Sequence, residues 1–174
     1  MVSLDPMPPV EMYEIPSGDD GTFATLSHMR QLAGQGAVTP EIRRVAARLV
    51  LGVENVPALH ARLIRDFIES HVRFLADPWV AEGLTRPVEA VNTLVRDGIA
   101  QMDCDCVATL VAALGLSIGL RARFVVVAFH SPNAPFAHVW CDLGDPMGHQ
   151  WWPVDPNRQA QAFQQISRTF IMEI

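Results

Sequence analysis

A chain of 174 residues, 49% hydrophobic and 18% charged, has the size and composition of one folded domain rather than a disordered segment. Its net charge of −6 leaves no basic footprint for nucleic acid, and no apolar run is long enough to span a bilayer. Three cysteines, an odd number with two of them one residue apart, do not read as a disulfide framework and suit a reducing compartment.

The first nine residues carry no Lys or Arg and no apolar segment, so they do not read as a signal peptide. Residues 1–20 hold Pro6, Pro8, Pro9, Pro16 and the turn cluster Ser17 to Gly21. They predict an extended arm with a short strand at 10–15, ahead of a single domain over 21–174. A helix is predicted over 25–32, ending before Gly34 and Gly36. Thr39-Pro40 has the form of a helix start, with Ile42, Val45, Ala46, Leu49 and Val50 as its apolar stripe and Gly52 as its stop. Asn55 and Pro57 open a longer helix running to about Leu75, with a wide apolar arc. Asp77-Pro78 ends it. Thr85 and Pro87 start a shorter helix that Gly98 closes.

In the next helix Val107, Leu110, Val111, Leu114 and Ile118 recur at core spacing. Asp103 is placed to cap its N-terminus and Gly119 to follow its C-terminus, which puts Cys104 in or just before the first turn. The period then changes. Residues 121–129 are β-branched and aromatic, the pattern of a buried strand. Further strands are predicted at 136–143, 150–154 and 169–174. Short connections between neighbours imply hairpins and an antiparallel sheet. Helices followed by strands is the order of an α+β domain.

Three residues in this layout carry chemistry. Unpaired N–H groups and the helix dipole favour a thiolate at Cys104, while Asp103 and Asp105 oppose it with negative charge. Cys106 is turned by roughly 200° from Cys104 on a helix, so the two do not face one cleft. On a strand His138 shares a face with Phe136 and Trp140, and Ala137, Val139 and Cys141 point the other way. Asp155, at a strand end, is placed to accept the second ring N–H of His138 and fix its tautomer. The backbone N–H of Cys104 is a candidate oxyanion donor. Gln101 and Trp79 are the only guesses for a second one.

The runs Asp103-Cys104-Asp105 to Gly119-Leu120-Arg121-Ala122-Arg123, Ala137-His138-Val139-Trp140 and Trp152-Pro153-Val154-Asp155-Pro156 resemble the transglutaminase-like core of the papain-like thiol enzymes. The resemblance is closest to small transglutaminase-like proteins of bacteriophages and prophages. It matches the family's nucleophile to Cys104, its base to His138, its acid to Asp155, the glycine ending the cysteine helix to Gly119, and the small residue one turn on to Ala108. Asp77-Pro78 and Arg86-Pro87 resemble that subgroup's upstream region. Where the subgroup has Gly-Asp-Cys-Asp-Asp, this chain has Met102 for the glycine and Cys106 for the second Asp. The match covers residues 77–156. It implies thiol-dependent acyl transfer on a protein or peptide amide (glutamine cross-linking, deamidation or peptide hydrolysis) without a cofactor or metal. It also implies a location in the bacterial host's cytoplasm or in a virion.

Other readings of the same residues remain. A lone cysteine is ordinarily a packed thiol, and Cys106 and Cys141 are read that way. The remaining histidines (His28, His60, His71, His130, His149) are expected on surfaces or helix flanks. A zinc site from Cys104, Cys106, His138 and Cys141 fails because each pair diverges, and Asp103, Asp105 and Asp155 fail as a magnesium set on similar grounds. Trp140, Trp151 and Trp152 either line a groove or cap the core. From another function class, the chain is a virion assembly component, with the arm at 1–16 and the tail at 170–174 pairing with other virion proteins or a second copy.

Overall fold

Helix α5 (Cys104–Ser117) is the axis on which the other elements pack. The computed structural model describes residues 9–12, 16–75, 83–157 and 165–174. Every α5 residue from Asp105 to Gly115 is buried. The expected one-sided stripe is therefore a helix buried all round: α1 (Asp19–Ala37), α2 (Pro40–Leu49), α3 (Pro57–His71) and α4 (Pro87–Asp97) surround it on one side, and a sheet covers the other. The small residues Ala108, Ala112, Ala113 and Gly115 permit this close approach. At Gly115 an added Cβ would collide with Leu143, so α5 lies directly on the sheet.

That sheet has four antiparallel strands in the order β7-β6-β5-β8: β5 (Arg121–Phe129), β6 (His138–Gly144), β7 (Trp151–Val154) and β8 (Ile166–Glu173). The molecule is an α+β protein, with helices first and the sheet last. No helix among the described residues is long and apolar enough to cross a membrane.

Four expectations change. Helix α1 does not stop before Gly34 and Gly36 but runs through both to Ala37. Leu26, Met29, Ala33 and Gly36 form its buried stripe, and a Cβ at Gly36 would stand 2.9 Å from Pro87 Cβ and 3.2 Å from Ala113 Cβ. That glycine is a crossing point, not a terminator. Helix α3 ends at His71 rather than near Leu75, because Val72–Phe74 leaves as strand β2 to pair in parallel with β4 (Ala100–Met102). His60 is buried within α3 rather than superficial. Finally, parts of the two segments read as docking arms pair within the chain. Val10–Met12 forms β1 and pairs with β3 (Gly83–Thr85), and β8 holds the C-terminal tail against β5. Asp77-Pro78 and Trp79 lie outside the described residues.

Helix α1 also starts at Asp19 rather than at 25, inside the segment read as an arm, and the remaining boundaries hold within a few residues. Pro40, Pro57 and Pro87 each occupy the first helical turn, where their missing N–H costs nothing. Gly98 and Gly119 take positive φ of 79° and 85° just past α4 and α5, the left-handed conformation that stops a helix.

Candidate active site

Cys104 is the first residue of α5. Asp103 precedes it in extended conformation and its carboxylate accepts from the Cys106 N–H at 3.0 Å, which fixes where the helix begins. The same N–H also donates to Asp105 Oδ1 at 2.8 Å. Two carboxylates are thus gathered at the helix start beside the thiol.

His138 is the first residue of β6, and Asp155 is the residue after β7. Antiparallel pairing of Cys141 with Val154 puts Asp155 on the face shared by His138 and Trp140. Asp155 Oδ2 lies 3.0 Å from His138 Nε2, and the two side chains are only 7% and 4% exposed. An ionised carboxylate only accepts hydrogen bonds, so Nε2 donates and the lone pair of the neutral ring falls on Nδ1. Asp155 Oδ1 is held in turn by the Asn157 N–H at 3.0 Å. The Trp140 ring stacks on the imidazole, centroids 5.9 Å apart and planes 29° apart. Its Nε1 donates to Asp142 at 2.8 Å, and Asp142 accepts twice from Arg123. The histidine is therefore gripped at its edge and over its face.

Cys104, His138 and Asp155 line one pocket of about 10 Å³, room for about one water. Phe74, Ala108 and Val139 complete part of its wall. A larger groove of about 520 Å³ opens onto the same Cys104 and His138, with α1 on one side and Pro135 to Ala137 on the other. The Val139 backbone N–H bonds to the Cys104 sulfur. The side chain of Val139 was expected to point away from the His138 face, and its backbone N–H was not among the expected donors; its place beside His138 on the strand was the available signal. Gln101 does not line the pocket around the sulfur.

The carboxylates oppose the thiolate as expected, and burial adds to them. Burial first, then the Asp105 carboxylate, push the Cys104 thiol far above its ordinary pKa; the Val139 N–H, and less strongly its own N–H, pull the other way without prevailing. The helix terminus is thus opposed at this sulfur by its surroundings.

The other thiols have structural partners. Cys106 turns away from the pocket: its sulfur accepts from the Thr85 N–H at 3.2 Å and donates to the Gly83 carbonyl at 3.5 Å, which docks the β1–β3 ribbon on α5. Cys141 is fully buried against the core. Among the described residues, the group with metal-ligand atoms within 4.8 Å is Asp103, Asp105 and Cys106, which is neither of the sets weighed from the sequence. Phe136 does not share the His138 face. The strand begins only at His138, and the Phe136 ring packs edge-on against Phe23 of α1. Of the tryptophans, Trp140 lines the pocket, Trp152 packs on the core, and Trp151 lies under Arg123, 4.2 Å from its ring centre.

No protein-family model, no curated protein and no solved structure matches this chain.

Proposed function

We propose that the chain is a thiol acyl-transfer enzyme of transglutaminase-like, papain-like design, of the kind carried by bacteriophages and working in the host cytoplasm. The observation that carries this reading is the His138–Asp155 pair, 3.0 Å apart and almost wholly shielded from water, lining one pocket with a thiol at a helix start. Burying an imidazole and a carboxylate together is costly unless each serves the other, and this arrangement leaves Nδ1 available as a base in the pocket that the thiol also lines.

In the proposed reaction, substrate entry brings an amide carbonyl to Cys104. The sulfur attacks the carbonyl carbon as its proton passes to His138 Nδ1. Because burial and the Asp105 carboxylate disfavour the thiolate, proton removal accompanies attack in this scheme instead of preceding it. The C–N bond of the tetrahedral intermediate breaks, and the amine leaves with the proton from His138. Water or a second amine then attacks the thioester as His138 takes up its proton; the C–S bond breaks, the acyl product leaves, and His138 returns the proton to the Cys104 sulfur. Asp155 stays ionised and holds the ring.

Cys104→Ala is expected to abolish the covalent adduct seen by intact mass spectrometry with a glutamine-bearing peptide. Cys106→Ala is expected to keep most activity while losing about 1–2 kcal/mol of stability, from the lost sulfur contacts and its small cavity. Equal loss of activity in both variants would refute the assignment of the nucleophile.

All thirteen basic residues are arginine. A resolving lysine amine must therefore come from another protein, and the enzyme incubated alone is expected to form no lysine-linked oligomer on a denaturing gel. A ladder that survives reduction and persists after the α-amino group is acetylated would contradict this chemistry. A purely structural role in a virion draws no support from the arm and tail, since Val10–Met12 and Ile166–Glu173 already pair within the chain.

A further inference from the structure

The two walls of the large groove come from parts of the chain with no direct backbone link. One is the start of α1; the other is the segment Pro135 to Ala137 that leads into His138. A residue outside the groove joins them. Arg168, on strand β8, donates from Nη1 to Asp19 Oδ2 at 2.6 Å and from Nη2 to Asp19 Oδ1 at 3.0 Å. Nη2 also donates to the Ala134 carbonyl at 2.9 Å. The face of the same guanidinium lies over Phe136, 4.1 Å from the ring centre. Asp19 is the first residue of α1, so its carboxylate also suits the helix dipole. Beneath the clasp, Phe23 of α1 packs edge-on against both Phe136 and Phe170. Arg168 Nε is buried with no hydrogen-bond partner among the described residues, a cost tolerated for the geometry of the other contacts.

We propose that Arg168 is a positioning residue that sets the width of the groove over Cys104, and so decides which acyl-donor chains reach the thiol. The proposal deepens the acyl-transfer reading and rests on it for the identity of the substrate. A partly exposed ion pair alone would hold the walls weakly. A planar fork that grips a carboxylate with two donors, reaches a carbonyl and stacks on a ring defines both distance and angle. A lysine offers one point charge and cannot reproduce this.

The test compares alkylation of Cys104 by a small reagent, iodoacetamide, and by a bulky one, a biotin-linked maleimide. The ratio of the two rates cancels the thiol's own pKa. In Arg168→Ala the bulky-to-small ratio is expected to rise about tenfold, the factor that corresponds to about 1.4 kcal/mol. Arg168→Lys is expected to stay close to the alanine variant. Asp19→Asn keeps the Phe136 stack and the Ala134 bond, so its rise is expected to be smaller; it also serves if the alanine variant does not fold. With a peptide amide, KM is expected to rise more than kcat falls. An unchanged or lowered ratio in these variants would overturn the proposal, as would equal acceleration of both reagents, which marks general loosening. Alkylation needs an accessible sulfur that can lose its proton but no acyl donor, so the clasp is tested even if the chain transfers no acyl group.

Discussion

Asp155→Ala is expected to slow thioester formation on the order of 10³–10⁴-fold, the scale on which loss of a carboxylate orienter disables a histidine base. Without Asp155 nothing fixes the proton on Nε2, so the lone pair is no longer held on Nδ1. The His138 side chain is only 4% exposed, so water replaces the lost partner poorly, and about 1–3 kcal/mol of stability goes with it. Asp155→Asn is a sharper probe. Both carboxylate oxygens are claimed by donors, Oδ2 by His138 Nε2 and Oδ1 by the Asn157 N–H. An amide has one acceptor oxygen. If it faces His138, the tautomer survives and the turn at Asn157 loses its bond. If it faces Asn157, an NH₂ meets the ring and the tautomer inverts. The first arrangement costs only about 1 kcal/mol, so the asparagine variant is expected to fall between wild type and alanine in single-turnover thioester formation. An alanine variant with wild-type rates would remove Asp155 from the mechanism.

Much of this site is visible in the chain because its parts are locally encoded. Asp103 announces a helix start through its side-chain acceptor, residues 121–129 announce a buried strand through β-branching, and Asp155 follows a short strand into Pro156. Each piece carries its own signal, and strand pairing does the rest. What the sequence hides is non-local. Gly36 reads as a breaker until Pro87 and Ala113 are known to press on it. Val72–Phe74 reads as the end of an apolar helix until Ala100–Met102 supplies a strand partner. The clasp joins Asp19 to Arg168 across 149 positions, a separation over which no periodicity speaks. The thiol's proton is hidden for the same reason. The helix start at Cys104 favours the anion by a local effect, whereas the burial and the neighbouring carboxylates that outweigh it exist only after folding.

Those buried thiols make stability depend on alkaline pH. Burial pushes Cys104, Cys106 and Cys141 all upward, with Asp105 adding to the first two and Asp142 to the third. In the unfolded chain a thiol ionises near pH ~8.5. Below that pH both states hold the proton and these groups add no pH dependence. Above it the folded state keeps protons that the unfolded state has released, so each thiol lowers stability by about 1.4 kcal/mol per pH unit until its own folded pKa is reached. Three together give a slope of about 4 kcal/mol per unit, large against the roughly 5–15 kcal/mol that holds a domain folded. The composition makes this window clean. The chain has no lysine among its thirteen basic residues and a single tyrosine, so few other side chains titrate between about pH 8.5 and 10. Urea midpoints measured from pH 7 to 10 are expected to be flat and then to fall steeply. Cys141→Ala is expected to start from lower stability, because it opens a small cavity, yet to decline with a slope smaller by about one third, since one of three protons is gone. A flat profile to pH 10 would mean that the thiols ionise as easily inside the fold as outside it, and the disfavoured thiolate on which the coupled attack depends would have to be given up.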